Sequence, residues 1–164
     1  MAAGNLRPWR FVLAGGFVAG TLDIVYAIAF WAATRGVPPQ RILQRVASGL
    51  LGSASMTGGW ATAALGFVLQ YVIATSMAVV YFLVARRWPL LWQRPIRLGA
   101  LYGVLLYVIM NYVVVPLSAA GPGSKDPLWV VMSIAVHAFL VGVPCAFFAR
   151  LAIQADTKIS VTPV

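Results

Sequence analysis

At 164 residues, 62% of them hydrophobic and 9% charged, with a mean hydropathy of +0.90, the chain lies far from a soluble domain, in which roughly 25% of residues are charged. The length allows one bundle of about four membrane spans and no soluble domain beside it. A net charge of +9 does not point to nucleic acid, because the basic residues are scattered through the connections between apolar segments, and the single cysteine, Cys145, excludes an intrachain disulfide.

The chain begins with a short polar segment, Met1 to Arg10, carrying Arg7 and Arg10. An apolar run of 24 residues follows, Phe11 to Thr34, with one acid, Asp23, near its middle. A basic start, an apolar run and the small-x-small triplet Ala27, Ile28, Ala29 resemble a signal peptide, but the run is too long for an h-region and holds an acid, so an uncleaved first span is predicted. Between Arg35 and Gly59, the Pro38-Pro39 pair and the spacing of Arg41, Ile42, Leu43, Arg45, Val46 and Leu50 predict a short amphipathic helix over about 39–50. It should lie at the membrane surface or dip partly into it.

Trp60 to Ala85 is the second span, and Arg86, Arg87, Arg94 and Arg97 mark the linker after it. The third span, Leu98 to Leu117, contains Asn111 and closes on Pro116; a turn rich in Gly, Pro and Ser leads to the fourth, Leu128 to Phe148, with His137 and Pro144 inside. That span should end at Arg150, before a polar tail from Gln154. The expected fold is all-α: one transmembrane domain over residues 1–164, a four-helix bundle with one interfacial helix.

Depth links the polar residues. At about 1.5 Å per residue, Asp23 and Asn111 lie about 18 and 20 Å from one surface, Gln70 and His137 about 15 and 14 Å from the other; in a core of about 30 Å these form one midplane layer. An acid at that depth costs roughly 2.5–3.5 kcal/mol on insertion scales, so Asp23 should be paired or wet. The layer is either a site for a proton, an ion or a small polar solute, or interhelical hydrogen-bond glue. Matching depths also predict that Asp23 and His137 act as a coupled pair.

Small residues four apart recur in the same half of every span: Gly16 with Gly20, Ala74 with Ala78, Gly99 with Gly103, Gly142 with Ala146. Such pairs let helix backbones approach, so this half should pack tightly. Any cavity should open at the other end, beneath Arg41 and Arg45, which either contact an anionic lipid or ligand or are simply solvated. No glycine-rich phosphate loop, no metal-spaced Cys or His cluster and no second membrane acid accompany them, so neither an enzyme, a metal site nor a cofactor is expected.

The order of motifs, Pro38-Pro39 with Leu43-Gln44, a second span ending in Tyr81, Trp88-Pro89, Pro116-Leu117 and His137, resembles the small YagU-like four-span proteins of the bacterial inner membrane. The resemblance implies fold and location only. In proteins of that type the positions of Gln70, Asn111 and His137 would form a set of histidines, of which this chain keeps only His137, so no metal site carries over. Two function classes follow: a small proton- or solute-handling membrane protein, or an accessory subunit of a larger membrane assembly. Its partners would be the lipid bilayer, other membrane subunits or further copies of the chain, and not nucleic acid.

Orientation follows from the basic residues. Arg7, Arg10, Arg86, Arg87, Arg94, Arg97, Arg150 and Lys158 flank one side, against Arg35, Arg41, Arg45 and Lys125 on the other. The tryptophans fall at headgroup level on both sides, Trp9, Trp88 and Trp92 with the first set and Trp31, Trp60 and Trp129 with the second. Both termini should therefore be cytoplasmic. Cysteines placed at Ser124 and at Thr157 in a Cys145→Ser background test this: an impermeant thiol reagent added outside should label position 124 and not 157, and the opposite pattern would reverse the topology.

Overall fold

The computed structural model describes residues 7–160, and side chains from 8 to 157. The segment before Arg7, the last four residues, and the side chains of Arg7 and Lys158 counted above lie outside it. Four helices are long and apolar enough to cross a membrane. They are α1 (Arg7–Arg35), α3 (Gly59–Ala85), α5 (Pro95–Ile109 continuing through a π-helical turn, Met110–Val114, to Val115–Leu117) and α6 (Pro127–Val136, a π-helical turn His137–Gly142, then Val143–Ser160). Two shorter helices, α2 (Pro39–Leu51) and α4 (Pro89–Gln93), fill connections. No strand occurs among the described residues, and the class is all-α.

The bundle is antiparallel. At one end Trp9 of α1 packs edge-on against Phe82 of α3; at the other Trp31 of α1 lies 5.1 Å from Trp129 of α6. Helix α1 packs on both α3 and α6, which also touch each other, whereas α5 leans chiefly on α6.

The seams are built from missing side chains. A methyl on Gly16 would stand 2.5 Å from the Cα of Thr75, and one on Gly20 would stand 3.0 Å from the Cβ of Ala74. Where α5 crosses α6, a methyl on Gly99 would meet the Gly142 carbonyl at 2.9 Å, and one on Gly103 would overlap the backbone of His137 and Ala138. Ala78, Ala85, Ala146, Ala149 and Ala152 are buried in the same core. In lipid, where apolar burial supplies no force between helices, this close backbone approach supplies the dispersion contacts that hold the bundle.

Helix α2 begins at the proline pair, as its sequence requires. It is more deeply tied than an interfacial helix needs to be. A methyl on Gly66, two turns into α3, would overlap the Leu43 carbonyl. Gln44 is buried and donates through Nε2 to the Gly59 carbonyl at 3.0 Å and to Thr62 Oγ1 at 3.2 Å.

Two features depart from expectation. Helix α6 does not end near Arg150 but runs to Ser160: no Gly or Pro interrupts Leu151 to Ser160, Ala149 and Ala152 are buried, and Ile153 packs on the core. Hydropathy marks where a span leaves lipid, not where its hydrogen bonding stops. The two π-helical turns were not foreseen as such. Each ends two residues before a proline, Pro116 or Pro144. A proline has no N–H to donate, and its ring crowds the carbonyl four residues earlier. Widening the turn relieves that crowding: Val115 donates to Met110 and Val143 to Ala138, one residue further back than in an α-helix.

Gly103→Leu should therefore separate α5 from α6 and destabilise the protein by about 1–3 kcal/mol or more, the cost of overpacking. Leu101→Ala, on the exposed side of the same helix, should change little. Thermal unfolding of both variants in nanodiscs checks this; equal stability would dissolve the seam.

Candidate functional site

Asp23 lies one turn beyond Gly20 on α1, on the stripe that meets α3. The glycine lets α3 approach closely enough that Gln70 reaches the carboxylate: Gln70 Nε2 donates to Asp23 Oδ2 at 2.9 Å and to the Gly20 carbonyl at 3.4 Å. Gln70 is 9% exposed, while Asp23 is half-buried. The acid thus has a neutral amide, not a base, as its hydrogen-bond partner. Next to it, Thr21 and Tyr71 share a hydrogen bond at 3.0 Å, the second polar link between α1 and α3.

His137 opens the π-helical turn of α6. Its Nδ1 lies 2.9 Å from the Ser133 carbonyl; a carbonyl only accepts, so Nδ1 carries a proton and Nε2 is left for further chemistry. The ring stands edge-on to Tyr107 of α5 at 5.5 Å. Asp23 and His137 do not form the direct pair expected from their depths: among the described residues the ion pairs are Arg35 with Asp126 and Arg86 with Asp156. The cause is azimuth. Tyr26 lies beside Ser133, and on antiparallel helices the positions three or four residues inward from these, Asp23 and His137, stand at matching height. One faces α3, the other α5.

Asn111 is placed differently. Its Nδ2 donates back to the Tyr107 carbonyl at 3.0 Å within α5, and its Oδ1 faces Gly123 of the connection to α6, so it serves its own helix and the loop that follows it. The structure brings Asp23 together with Gln70, sets His137 against the neighbouring helix, and leaves Asn111 apart from them.

Arg41 and Arg45 are exposed, yet each has an internal acceptor. Arg41 Nη1 donates to the Met56 carbonyl at 2.8 Å and Arg45 Nη2 to the Pro122 carbonyl at 2.9 Å. With the backbone bond from Ala119 N to the Gly49 carbonyl at 3.1 Å, they tie α2 to the loops around it. The sequence reading did not select Tyr26 and Ser133, whose hydroxyls are buried beside one another between α1 and α6. Ser133 falls one turn before His137, a spacing that would have placed it on the same face.

Above Tyr26 the α1–α6 interface closes in rings. Tyr26 stacks on Trp129 at 5.5 Å, Phe30 and Trp31 flank the same indole, and the Arg35 guanidinium lies 5.4 Å over Trp31. Arg35 Nη2 then donates to Asp126 Oδ2 at 3.1 Å. Asp126 also caps α6, accepting from the backbone of Leu128 and Trp129. The Trp129 N–H foremost, then the Arg35 guanidinium, hold its carboxyl below the ordinary 3.8.

A carboxyl with a lowered folded-state pKa contributes stability that is complete above 3.8 and is lost as the pH falls through the folded value. Asp126→Ala should therefore lower the melting temperature near about pH 7, and the gap to wild type should close toward about pH 2. Melts at the two pH values check it; a gap independent of pH would deny the carboxylate its role.

The chain matches no protein-family model, no curated protein and no solved structure.

Proposed function

We propose that the chain is a small, non-enzymatic, multi-pass protein of the bacterial inner membrane, with both termini cytoplasmic, whose midplane carboxylate handles a proton, an ion or a small polar solute. The observation that carries this reading is Asp23: an acid deep in an apolar helix, half-buried, bonded to an amide that brings no compensating charge. A group placed only to bind helices together would be served as well by an asparagine, without the insertion cost of an acid.

The reading of the chain as an accessory subunit calls for an outward face of small residues left for a partner to cover. The exposed faces instead carry bulky side chains, among them Phe17 on α1, Phe67 on α3, Leu101 and Leu105 on α5, and Phe139 and Phe147 on α6. Lipid chains cover such faces well.

Reconstituted into proteoliposomes, the protein should dissipate an imposed proton or alkali-cation gradient, followed with a pH-sensitive or cation-sensitive dye, and Asp23→Asn should abolish the flux while keeping the fold. Flux equal in wild type and Asp23→Asn would remove the carboxylate from the function.

A further inference from the structure

The two ends of the bundle treat their arginines differently. At the α2 end Arg35 pairs with Asp126, and Arg41 and Arg45 each donate to a backbone carbonyl. At the α4 end, among the described residues, Arg86 is held: its Nη2 lies 3.9 Å from Asp156 and its guanidinium 5.6 Å over the Phe82 ring. The side chains of Arg10, Arg87, Arg94, Arg97 and Arg150 make neither an ion pair nor a hydrogen bond with any described residue. Of the three acids in the chain, Asp156 stands at this end, Asp23 lies in mid-span and Asp126 caps α6 at the other.

Three of these free guanidinia are carried by one connection, residues 86–97, and it is not a loose loop. Pro89 opens α4 and Pro95 opens α5. The hydroxyl of buried Tyr81 donates to the Leu91 carbonyl at 2.9 Å, Leu91 packs on the core, and α4 rests against α6. Arg87, Arg94 and Arg97 thus stand on a shelf fixed to the end of the bundle. Interleaved with them, Trp88 and Ile96 are each 66% exposed and Leu90 55%. Such a mixture suits a boundary: the charges need an anion, the indole prefers the level of the headgroups, and Leu90 and Ile96 need acyl chain.

We propose that the α3–α4–α5 shelf is a docking surface for anionic phospholipid, with the guanidinia of Arg87, Arg94 and Arg97 on the phosphodiester groups and Trp88, Leu90 and Ile96 among the acyl chains below them. The proposal needs the chain to lie in a bilayer and is independent of what Asp23 does. Topology alone does not account for the shelf, because lysine and arginine mark a membrane side alike, whereas every basic side chain described at this end is arginine. A guanidinium presents a planar fork of donors that matches two phosphate oxygens at once; an ammonium does not. An acidic protein segment would satisfy the charges too, but would leave the exposed Leu90 and Ile96 without a partner of their own kind.

Native mass spectrometry of the full chain in a neutral detergent, titrated with phosphatidylglycerol or with phosphatidylcholine, tests this. The wild-type protein should retain phosphatidylglycerol in preference to phosphatidylcholine, and the preference should weaken as salt rises from about 0.1 M to about 1 M. Replacing Arg87, Arg94 and Arg97 together by Gln should weaken phosphatidylglycerol binding about fivefold per arginine, about a hundredfold in all, and leave phosphatidylcholine binding and the lipid-free melting temperature as they were. Replacement of the three by Lys should restore only part of the affinity. Lys125→Gln, exposed at the other end, should change nothing. Equal retention of the two lipids by the wild type overturns the proposal, and so does equal affinity for phosphatidylglycerol in the wild type and the triple Gln variant. Polyglutamate bound by the wild type in place of phosphatidylglycerol would also overturn it and would give the shelf to an acidic protein segment.

Discussion

In a bilayer the lipid chains are as apolar as the helices, and nothing presses two helices together unless they fit. The fit here is made by glycine at Gly99, Gly103 and Gly142, where α5 and α6 meet backbone to backbone, and at Gly16 and Gly20, where α1 meets α3. The placement of the polar groups depends on those seams. Gln70 reaches Asp23 only because no side chain at Gly20 holds the helices apart, and the ring of Tyr107 stands over His137 because Gly103 admits the neighbouring backbone.

Polar contacts then add direction to a packing that is otherwise nonspecific. The Gln70–Asp23 bond fixes the rotation of α1 against α3. Its energy is modest, since interhelical hydrogen bonds in membranes are worth about 0.6–2 kcal/mol. Its larger effect is to exclude alternative registers that would leave a carboxylate against lipid. Arg45, Arg41 and the Ala119–Gly49 bond set α2 across the connections at its end of the bundle, so that the arginines the sequence offers as a lipid or ligand contact also bond carbonyls of the chain itself.

Much of the fold was legible because membrane spans obey a one-dimensional rule: the four apolar runs, the proline start of α2 and the small-residue stripes correspond to helices and seams in the structure. What was lost is rotational. Depth is a sum along the chain and survives small errors, whereas azimuth accumulates about 100° per residue and is reset by each π-helical turn. His137 and Asn111 both lie in such turns, which is why their depths suggested a shared layer with Asp23 while their neighbours proved to be others. The Val-Pro pairs at Val115-Pro116 and Val143-Pro144 were the available signal. The continuation of α6 was hidden for a different reason: Ala152 and Ile153 are held by packing at the end of the bundle, beyond the reach of a hydropathy scale. The packing roles of Gly66 and Gln44 were hidden because they come from α2 folding back on α3, a long-range fact.

The pairing of α1 with α6 bears on how the protein is made. Helix α1 packs most extensively on α6, down to Gly15 against Phe148, so during synthesis α1 meets its principal neighbour only after α3 and α5 have been made. During synthesis α1 can dock on α3 through Gly16 and Gly20, but the face that carries Gly15, Val12 and Ala19 stays open to lipid or to whatever machinery accompanies insertion until α6 is released. The bundle is therefore closed after translation of α6 and not assembled pair by pair, and truncation anywhere in the fourth span strands the first.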